Sequence, residues 1–233
     1  MKYFTNKLNI AALIALSAGL IIINFASAQT QPEFIISWRT NAYVPSTYAG
    51  KIIPSAGSMV DISFDVLENG KLIDVSGKKI KWSSSGKTLQ TGTGLKNIIF
   101  TISSTETSEK SISISIADYK GATLDKTISI PIASPKIIID APIPGKEISI
   151  GQDYTFRALP YFFNVPSLSN LSFEWQMGGQ NLEQTNPLRP DILSANLNSQ
   201  FKITYNTISL SVIVKNISNQ LETAAKTINL NLK

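Results

Sequence analysis

The sequence predicts an all-β protein made of two antiparallel β-sandwiches in tandem, placed behind an N-terminal export segment. Three observations support this prediction: apolar residues alternate with polar ones along most of the chain, the breaks between these runs are of turn type, and one phrase recurs with an offset of 100 residues. Strands joined by turns rather than by helices indicate antiparallel sheets packed face to face. No convincing amphipathic helix follows residue 30.

Alternation with a period of two is the strongest pattern in the chain. Within 111–116, for example, three isoleucines alternate with three serines. A strand that lies on a hydrophobic core with one face and in water with the other has this period. The Asn69-Gly70 pair between two such runs is typical of a tight hairpin turn. The alternating segments are 60–66, 111–116, 127–132, 154–158, 173–177, 201–205, 210–214 and 228–232.

A repeat divides the chain into two halves. The phrase KTISIPI at 126–132 corresponds to KTINLNL at 226–232. Self-similarity over such a period indicates two copies of one domain. A proline at position 135 interrupts the strand pattern between the copies. We therefore expect one domain over 29–134 and a second over 135–233.

Each half carries one tryptophan in an alternating segment and a glycine a few residues later. The segments are KIKW, which ends at Trp82 and is followed by Gly86, and SFEW, which ends at Trp175 and is followed by Gly178. This pattern resembles bacterial immunoglobulin-like and PKD-like extracellular modules. The resemblance implies two immunoglobulin-like sandwiches with Trp82 and Trp175 as structural core residues, and an extracellular setting, but it transfers no binding site. The chain departs from these modules because it lacks an inter-sheet cysteine pair and the aspartate-rich WDFGDG-type phrase.

Residues 1–28 predict a secretory signal peptide. Lys2 and Lys7 precede an apolar stretch over 8–25, and the Ala-Ser-Ala tripeptide that follows suits a signal peptidase. We expect cleavage directly after this tripeptide. The alternative is an uncleaved signal anchor, in which residues 8–25 are the chain's contact with the membrane. Either outcome places residues 29–233 outside the cytoplasm.

Composition excludes several classes of function. The sequence has no Cys and no His, so it cannot form a Cys- or His-ligated zinc, copper or haem site, a Ser-His-Asp triad or a Cys-His pair. Its 21 Lys and Arg residues are scattered, without the basic stripe of nucleic-acid-binding proteins. No Asp-x-Asp spacing indicates a calcium loop. We therefore expect no enzyme activity, no cofactor, no metal and no nucleic-acid partner.

Aromatic residues in two predicted loops, 41–57 and 160–166, are the candidate binding residues. Aromatic side chains on loops of a rigid sandwich can stack on sugars or contact a protein partner. The alternatives are structural: the two tyrosines of the first loop cover the edge of the sandwich, and the aromatics of the second loop pack between the domains. A third segment, 180–200, is expected to be a long connection. The candidate binding residues are Tyr43, Tyr48, Tyr161, Phe162 and Phe163.

These features favour a non-catalytic exported protein of the cell surface or envelope, which acts as a binding or structural module for an extracytoplasmic protein or glycan. Two alternatives remain open. The first is a periplasmic assembly factor that holds a client by adding a strand to a sheet edge, since pilus chaperones are similar in size and plan, although their basic pair has no match here. The second is a carbohydrate-binding module that uses the two aromatic loops.

Overall fold

The computed structural model describes residues 31–106, 108–183, 186–196, 201 and 206–233, which form sixteen β-strands and two short 3-10 turns, Pro144–Lys146 and Leu168–Asn170. The export segment predicted over 1–28 and most of the strand predicted over 201–205 lie outside the described residues. Within the described part of the chain, no helix is long and apolar enough to span a membrane. The strands are β1 (Glu33–Thr40), β2 (Met59–Glu68), β3 (Lys71–Ile73), β4 (Lys79–Ser84), β5 (Lys87–Thr93), β6 (Asn97–Thr101), β7 (Glu109–Tyr119), β8 (Ala122–Pro131), β9 (Lys136–Asp140), β10 (Glu147–Ile148), β11 (Asp153–Tyr161), β12 (Leu171–Met177), β13 (Gln180–Leu182), β14 (Ile192–Asn196), β15 (Thr207–Asn216) and β16 (Asn219–Leu232).

Strands β1 to β8 form two sheets on one hydrophobic core. One sheet has the order β1-β2-β3, with β6 also paired to β2, and the other has the order β5-β4-β7-β8. Along β2, Val60, Ile62 and Phe64 are buried while the residues between them point away from the core, as the sequence alternation predicts. Trp82 of β4 is fully buried, and its indole N–H donates to the carbonyl of Leu95 (2.9 Å). This hydrogen bond satisfies the polar atom that burial of a tryptophan removes from water.

Strands β9 to β16 repeat this plan around a second core. The two sheets have the orders β14-β11-β9 and β10-β16-β15-β12-β13. Trp175 of β12 is buried, and its indole N–H donates to the carbonyl of Pro190 (3.3 Å). Strand β10 pairs with β16 in the parallel direction, whereas the sequence predicted antiparallel sheets. A two-residue strand has no period of its own, so its direction depends on where the chain returns to the sheet.

The prediction of an all-β fold is confirmed: the protein consists of two tandem immunoglobulin-like antiparallel β-sandwiches. The chain passes from the first core to the second between the end of β8 and the start of β9. The domain limits 29–134 and 135–233 stay a prediction. The segment 180–200 is not the long connection expected from the sequence, because β13 and β14 lie within it. Strands of three to five residues carry too little alternation to be recognised.

Candidate functional site at the junction of the sandwiches

The segment between β1 and β2 extends from the first sandwich to the second. Tyr43 forms an antiparallel bridge with Phe163: its N–H donates to the carbonyl of Phe163 (2.6 Å), and its own carbonyl accepts from the N–H of Phe162 (2.7 Å). The Asn41 side chain fixes the segment to the first sandwich, since it accepts a hydrogen bond from the N–H of Met59 (2.9 Å). Backbone hydrogen bonds therefore join the two sandwiches in addition to the linker after β8.

Ring contacts extend this bridge. The ring of Tyr48 stands nearly perpendicular to the rings of Tyr161 and Phe162, with 5.8 Å between the centroids in both pairs. Aromatic pairs in edge-to-face geometry attract one another beyond the effect of their buried area. The ammonium group of Lys136 lies 5.9 Å from the Tyr161 centroid and 5.8 Å from the Phe162 centroid. The first strand of the second sandwich thus takes part in the same contact.

Phe162 has a backbone conformation that is rare for a bulky residue. Its φ of 62° lies in the left-handed region, which costs about 1–3 kcal/mol for a residue other than glycine. Such a conformation persists where the surrounding contacts determine it. The Tyr43 carbonyl accepts from the Phe162 N–H, and the Tyr48 ring packs on its side chain. The strained residue therefore lies where the two sandwiches contact each other.

The structure brings all five predicted binding residues into this junction. Phe162 and Phe163 are buried, with 6% and 0% of their surface exposed, while Tyr43, Tyr48 and Tyr161 are half-buried. Tyr161 is the last residue of β11 and not a loop residue as expected. For the second loop this placement corresponds to the alternative of packing between the domains, whereas Tyr43 and Tyr48 contact the second sandwich and do not only cover the edge of the first. Ligand binding by these five residues stays a prediction.

A buried carboxylate lies beside the aromatic contacts. Glu222 on β16 is 8% exposed and accepts hydrogen bonds from the N–H of Asn164 (2.6 Å) and from Nδ2 of Asn216 (2.6 Å). The hydroxyl of Ser55, in the first sandwich, donates to the same carboxylate over 3.5 Å, and Ser55 and Ser58 are both fully buried. A buried charge is tolerated only where donors of this kind surround it. One signal in the sequence marks Glu222: it has the same parity along β16 as Ala224, Ile228 and Leu230, which pack on the second core.

A second buried carboxylate, Asp191, acts electrostatically on Tyr43. Asp191 is fully buried and accepts from Nε of Arg157 (3.0 Å) and from Nε and Nη2 of Arg189 (3.0 Å each). Burial raises the pKa of Asp191, but the hydrogen bonds from Arg189 and Arg157 lower it by more, so the pKa lies below its ordinary value. Burial, and then the charge of Asp191, raise the pKa of Tyr43. The Tyr43 hydroxyl therefore stays protonated at neutral pH.

An open groove of about 590 Å³ lies on the outer face of the sheet formed by β1, β2 and β6. Two ion pairs border it, Arg39 with Asp61 (2.7 Å) and Lys96 with Asp65, so its charges balance. Carboxylate, amide, hydroxyl and guanidinium groups together offer both acceptors and donors. The sequence did not indicate this groove, because polar residues occupy the outer face of any sandwich. Its polar residues are Ser37, Arg39, Asp61, Ser63, Asp65, Lys96 and Asn97.

Comparison of the chain with protein-family models gives no match, and comparison with the sequences of curated proteins gives none either. Several solved structures are similar in fold. The three N-terminal domains of the bacteriophage RB49 highly immunogenic outer capsid protein are 13% identical over 86% of this chain and 59% of that chain, with a TM-score of 0.45. Domains 4 and 5 of the S-layer protein SbsC are 10% identical over 84% of this chain and 97% of that chain, with a TM-score of 0.35. The fibronectin(III)-like modules of Clostridium thermocellum CbhA are 13% identical over 85% of this chain and 94% of that chain, with a TM-score of 0.30. This chain spans less than two thirds of the length of the capsid chain. Whatever these proteins bind or assemble with is said of them and not of this chain.

Proposed function

We propose that the protein is a non-catalytic exported protein of the cell surface or envelope, in which the two sandwiches form one fixed unit that serves as a spacer or presents a face to an extracytoplasmic protein or glycan. The observation that carries this proposal is the junction. Relative motion is the default for two modules in one chain unless their interface is large and apolar. Here a backbone bridge, packed rings and a buried carboxylate act between the sandwiches.

The chemistry of the buried groups supports a non-catalytic role. The sequence has no Cys and no His. Asp191 and Glu222, the buried carboxylates among the described residues, both accept hydrogen bonds from neighbouring side chains or backbone. The described residues also contain no group of three or more carboxylates that could hold a metal ion. A general acid or base needs an acceptor or proton that can reach a substrate, and donors of the protein itself engage these carboxylates.

A neutral glycan is the ligand class that the groove on the first sandwich favours, which makes a carbohydrate-binding module the second candidate function. The Arg39 side chain is 84% exposed although it pairs with Asp61, and Asn97 is exposed at the opposite side of the groove. Hydroxyl groups of a sugar can donate to carboxylates and accept from guanidinium and amide N–H groups. Because the charges in the groove balance, a neutral ligand fits better than an ionic one.

One pair of cysteine substitutions tests both the export and the rigidity of the protein. Lys126→Cys and Lys226→Cys change equivalent exposed positions of the two sandwiches, and the chain has no other Cys. In intact cells, a maleimide that cannot cross the membrane is expected to label both positions if the protein is exported. With spin labels at the same positions of the purified exported protein, electron–electron double resonance is expected to give a narrow distance distribution.

The matched comparison is the same labelled pair combined with Tyr48→Ala. This substitution removes the ring contacts between the sandwiches and leaves the core residues of both sandwiches in place. We expect it to broaden the distance distribution without changing the circular dichroism spectrum. A distribution in the unaltered background that is broad, and no narrower than that of Tyr48→Ala, would refute the fixed unit. Labelling that occurs only after lysis would refute the export.

A further inference from the structure

The outer edge of β1 has no bulge, lysine or proline to protect it, and its charged residues are Glu33 and Arg39 near its two ends. Within the described part of the chain, β1 runs for eight residues, pairs only with β2 and shows no register shift. Edge strands are usually protected by bulges, by lysine or by proline, and β1 contains none of them. The edge strands of the other sheet contain such features. Strand β5 begins with a lysine and pairs through a register shift, and β8 contains Lys126 and Pro131. In an antiparallel pair every second residue directs its N–H and C=O away from the partner, so about four residues of β1 present these groups at the edge.

The side chains of β1 are divided between two faces. Phe34, Ile36 and Trp38 are only half-buried although they pack against the first core. Part of their apolar surface is therefore still accessible, although the ammonium group of Lys51 lies 3.6 Å from the centroid of the Trp38 ring. The exposed residues on the other face are Glu33, Ile35, Ser37 and Arg39.

We propose that β1 pairs in the antiparallel direction with β1 of a second copy of this chain, with Ile36 on the two-fold axis. In this register Glu33 of each copy lies opposite Arg39 of the other, and Phe34 lies opposite Trp38. Both pairs occur twice by symmetry, which is the property of a two-fold interface. Opposite charges and aromatic pairs directly across two strands stabilise a sheet.

The sequence of β1 fits this register and no neighbouring one. A displacement by one residue turns the side chains of the second strand to the opposite face of the sheet. A displacement by two residues removes the pairing of Glu33 with Arg39 and of Phe34 with Trp38. Arg39 already contacts Asp61 of its own chain, but its side chain is 84% exposed. Its guanidinium has five donors and can therefore bind both carboxylates.

Charge reversal with rescue tests the interface, using exported protein purified from cells that express the full chain. Sedimentation equilibrium is expected to show a dimer. Glu33→Arg is expected to raise the dissociation constant about tenfold or more, because two attractive cross-strand pairs become repulsive. Adding Arg39→Glu to Glu33→Arg is expected to restore the dimer in part, because the new carboxylate also faces Asp61 of its own chain. Glu183→Arg makes the same change of charge at an exposed position of the second sandwich and is expected to leave the dimer unchanged.

Cysteine cross-linking tests the register. Opposite residues of an antiparallel pair have Cα atoms about 4.5–5.5 Å apart, within the range of a disulfide, so Ile36→Cys is expected to join two copies under oxidation. Ser37→Cys would place the two Cα atoms about 8 Å apart, beyond that range, and is expected to remain unlinked. A protein that stays monomeric at high micromolar concentration overturns the proposal. So does a dimer that is indifferent to Glu33→Arg, or one that Ser37→Cys cross-links as readily as Ile36→Cys.

Discussion

Replacement of Glu222 by alanine is expected to destabilise the second sandwich strongly. The carboxylate accepts two hydrogen bonds of 2.6 Å, from the Asn164 N–H and the Asn216 amide, and it is only 8% exposed. A hydrogen bond to a charged group contributes about 1.5–3 kcal/mol. Because desolvation of the charge offsets part of this, we expect a loss of about 2–4 kcal/mol in the free energy of unfolding. For a domain of roughly 100 residues, this lowers the melting temperature by about 10 °C or more.

Replacement of the same residue by glutamine separates the contribution of the hydrogen bonds to stability from the contribution of the side-chain volume. Glu222→Gln keeps an acceptor for the Asn164 N–H but presents its NH₂ to the Asn216 amide. That amide cannot turn over without a penalty, because its oxygen accepts from the N–H of Ser218 (2.9 Å). We therefore expect Glu222→Gln to lower the free energy of unfolding by about half as much as Glu222→Ala does.

The assay is thermal unfolding of the purified protein, followed by circular dichroism at neutral pH. Glu174→Ala is the matched control, because Glu174 lies on β12 in the same sheet but half of its side chain is exposed in its ion pair with Lys215. The expected order of stability is wild type, Glu174→Ala, Glu222→Gln and Glu222→Ala, from highest to lowest. If Glu222→Ala melts at the temperature of Glu174→Ala, the buried network contributes no stability and the reasoning fails.

Two further predictions concern Asp191 and the groove on the first sandwich. Burial raises the pKa of Asp191, but the hydrogen bonds from Arg189 and Arg157 lower this pKa by more, so it lies below that of the same residue in the unfolded chain. The unfolded state therefore binds a proton at Asp191 more readily than the folded state does. The stability that Asp191 contributes is therefore present at neutral pH and lost as the pH falls below about 4. The difference in urea-unfolding free energy between wild type and Asp191→Asn is expected to shrink between about pH 7 and about pH 3; a constant difference would contradict this. In the groove, Asn97→Ala is expected to weaken retention on a neutral polysaccharide about fivefold through the loss of one amide, while Tyr48→Ala retains binding. The opposite result would place the glycan site at the aromatic loops.

Local patterns in the sequence were sufficient to predict the strands and their buried faces. In β7, isoleucines alternate with serines, and each isoleucine is buried while the serines point outward. This agreement has a simple cause: the direction of a side chain in a strand depends only on the parity of its position. Trp82 and Trp175 belong to the same class of feature, because a large apolar residue in an alternating segment faces the core.

The sequence also identified the aromatic residues of the junction but not their arrangement. It placed Tyr48 and Phe162 on two loops and left open whether they bind a ligand or pack between the domains. The structure shows them in ring contact across the junction. Exposure of a loop aromatic depends on which segment folds against it, and residues more than a hundred positions apart in the chain have no common local pattern.

What the sequence determined by itself is the class of fold, the repeat and the face that each long strand buries, because these follow from periodicities of a few residues. Tertiary structure alone decided the hydrogen-bond partners of Glu222, the parallel direction of β10, the groove beside Arg39 and the unpaired edge of β1 among the described residues. Each of these depends on which distant segments meet. Glu174 has the outward parity of β12 and Glu222 the core-facing parity of β16, but only the tertiary structure shows that Asn164 and Asn216 donate to Glu222.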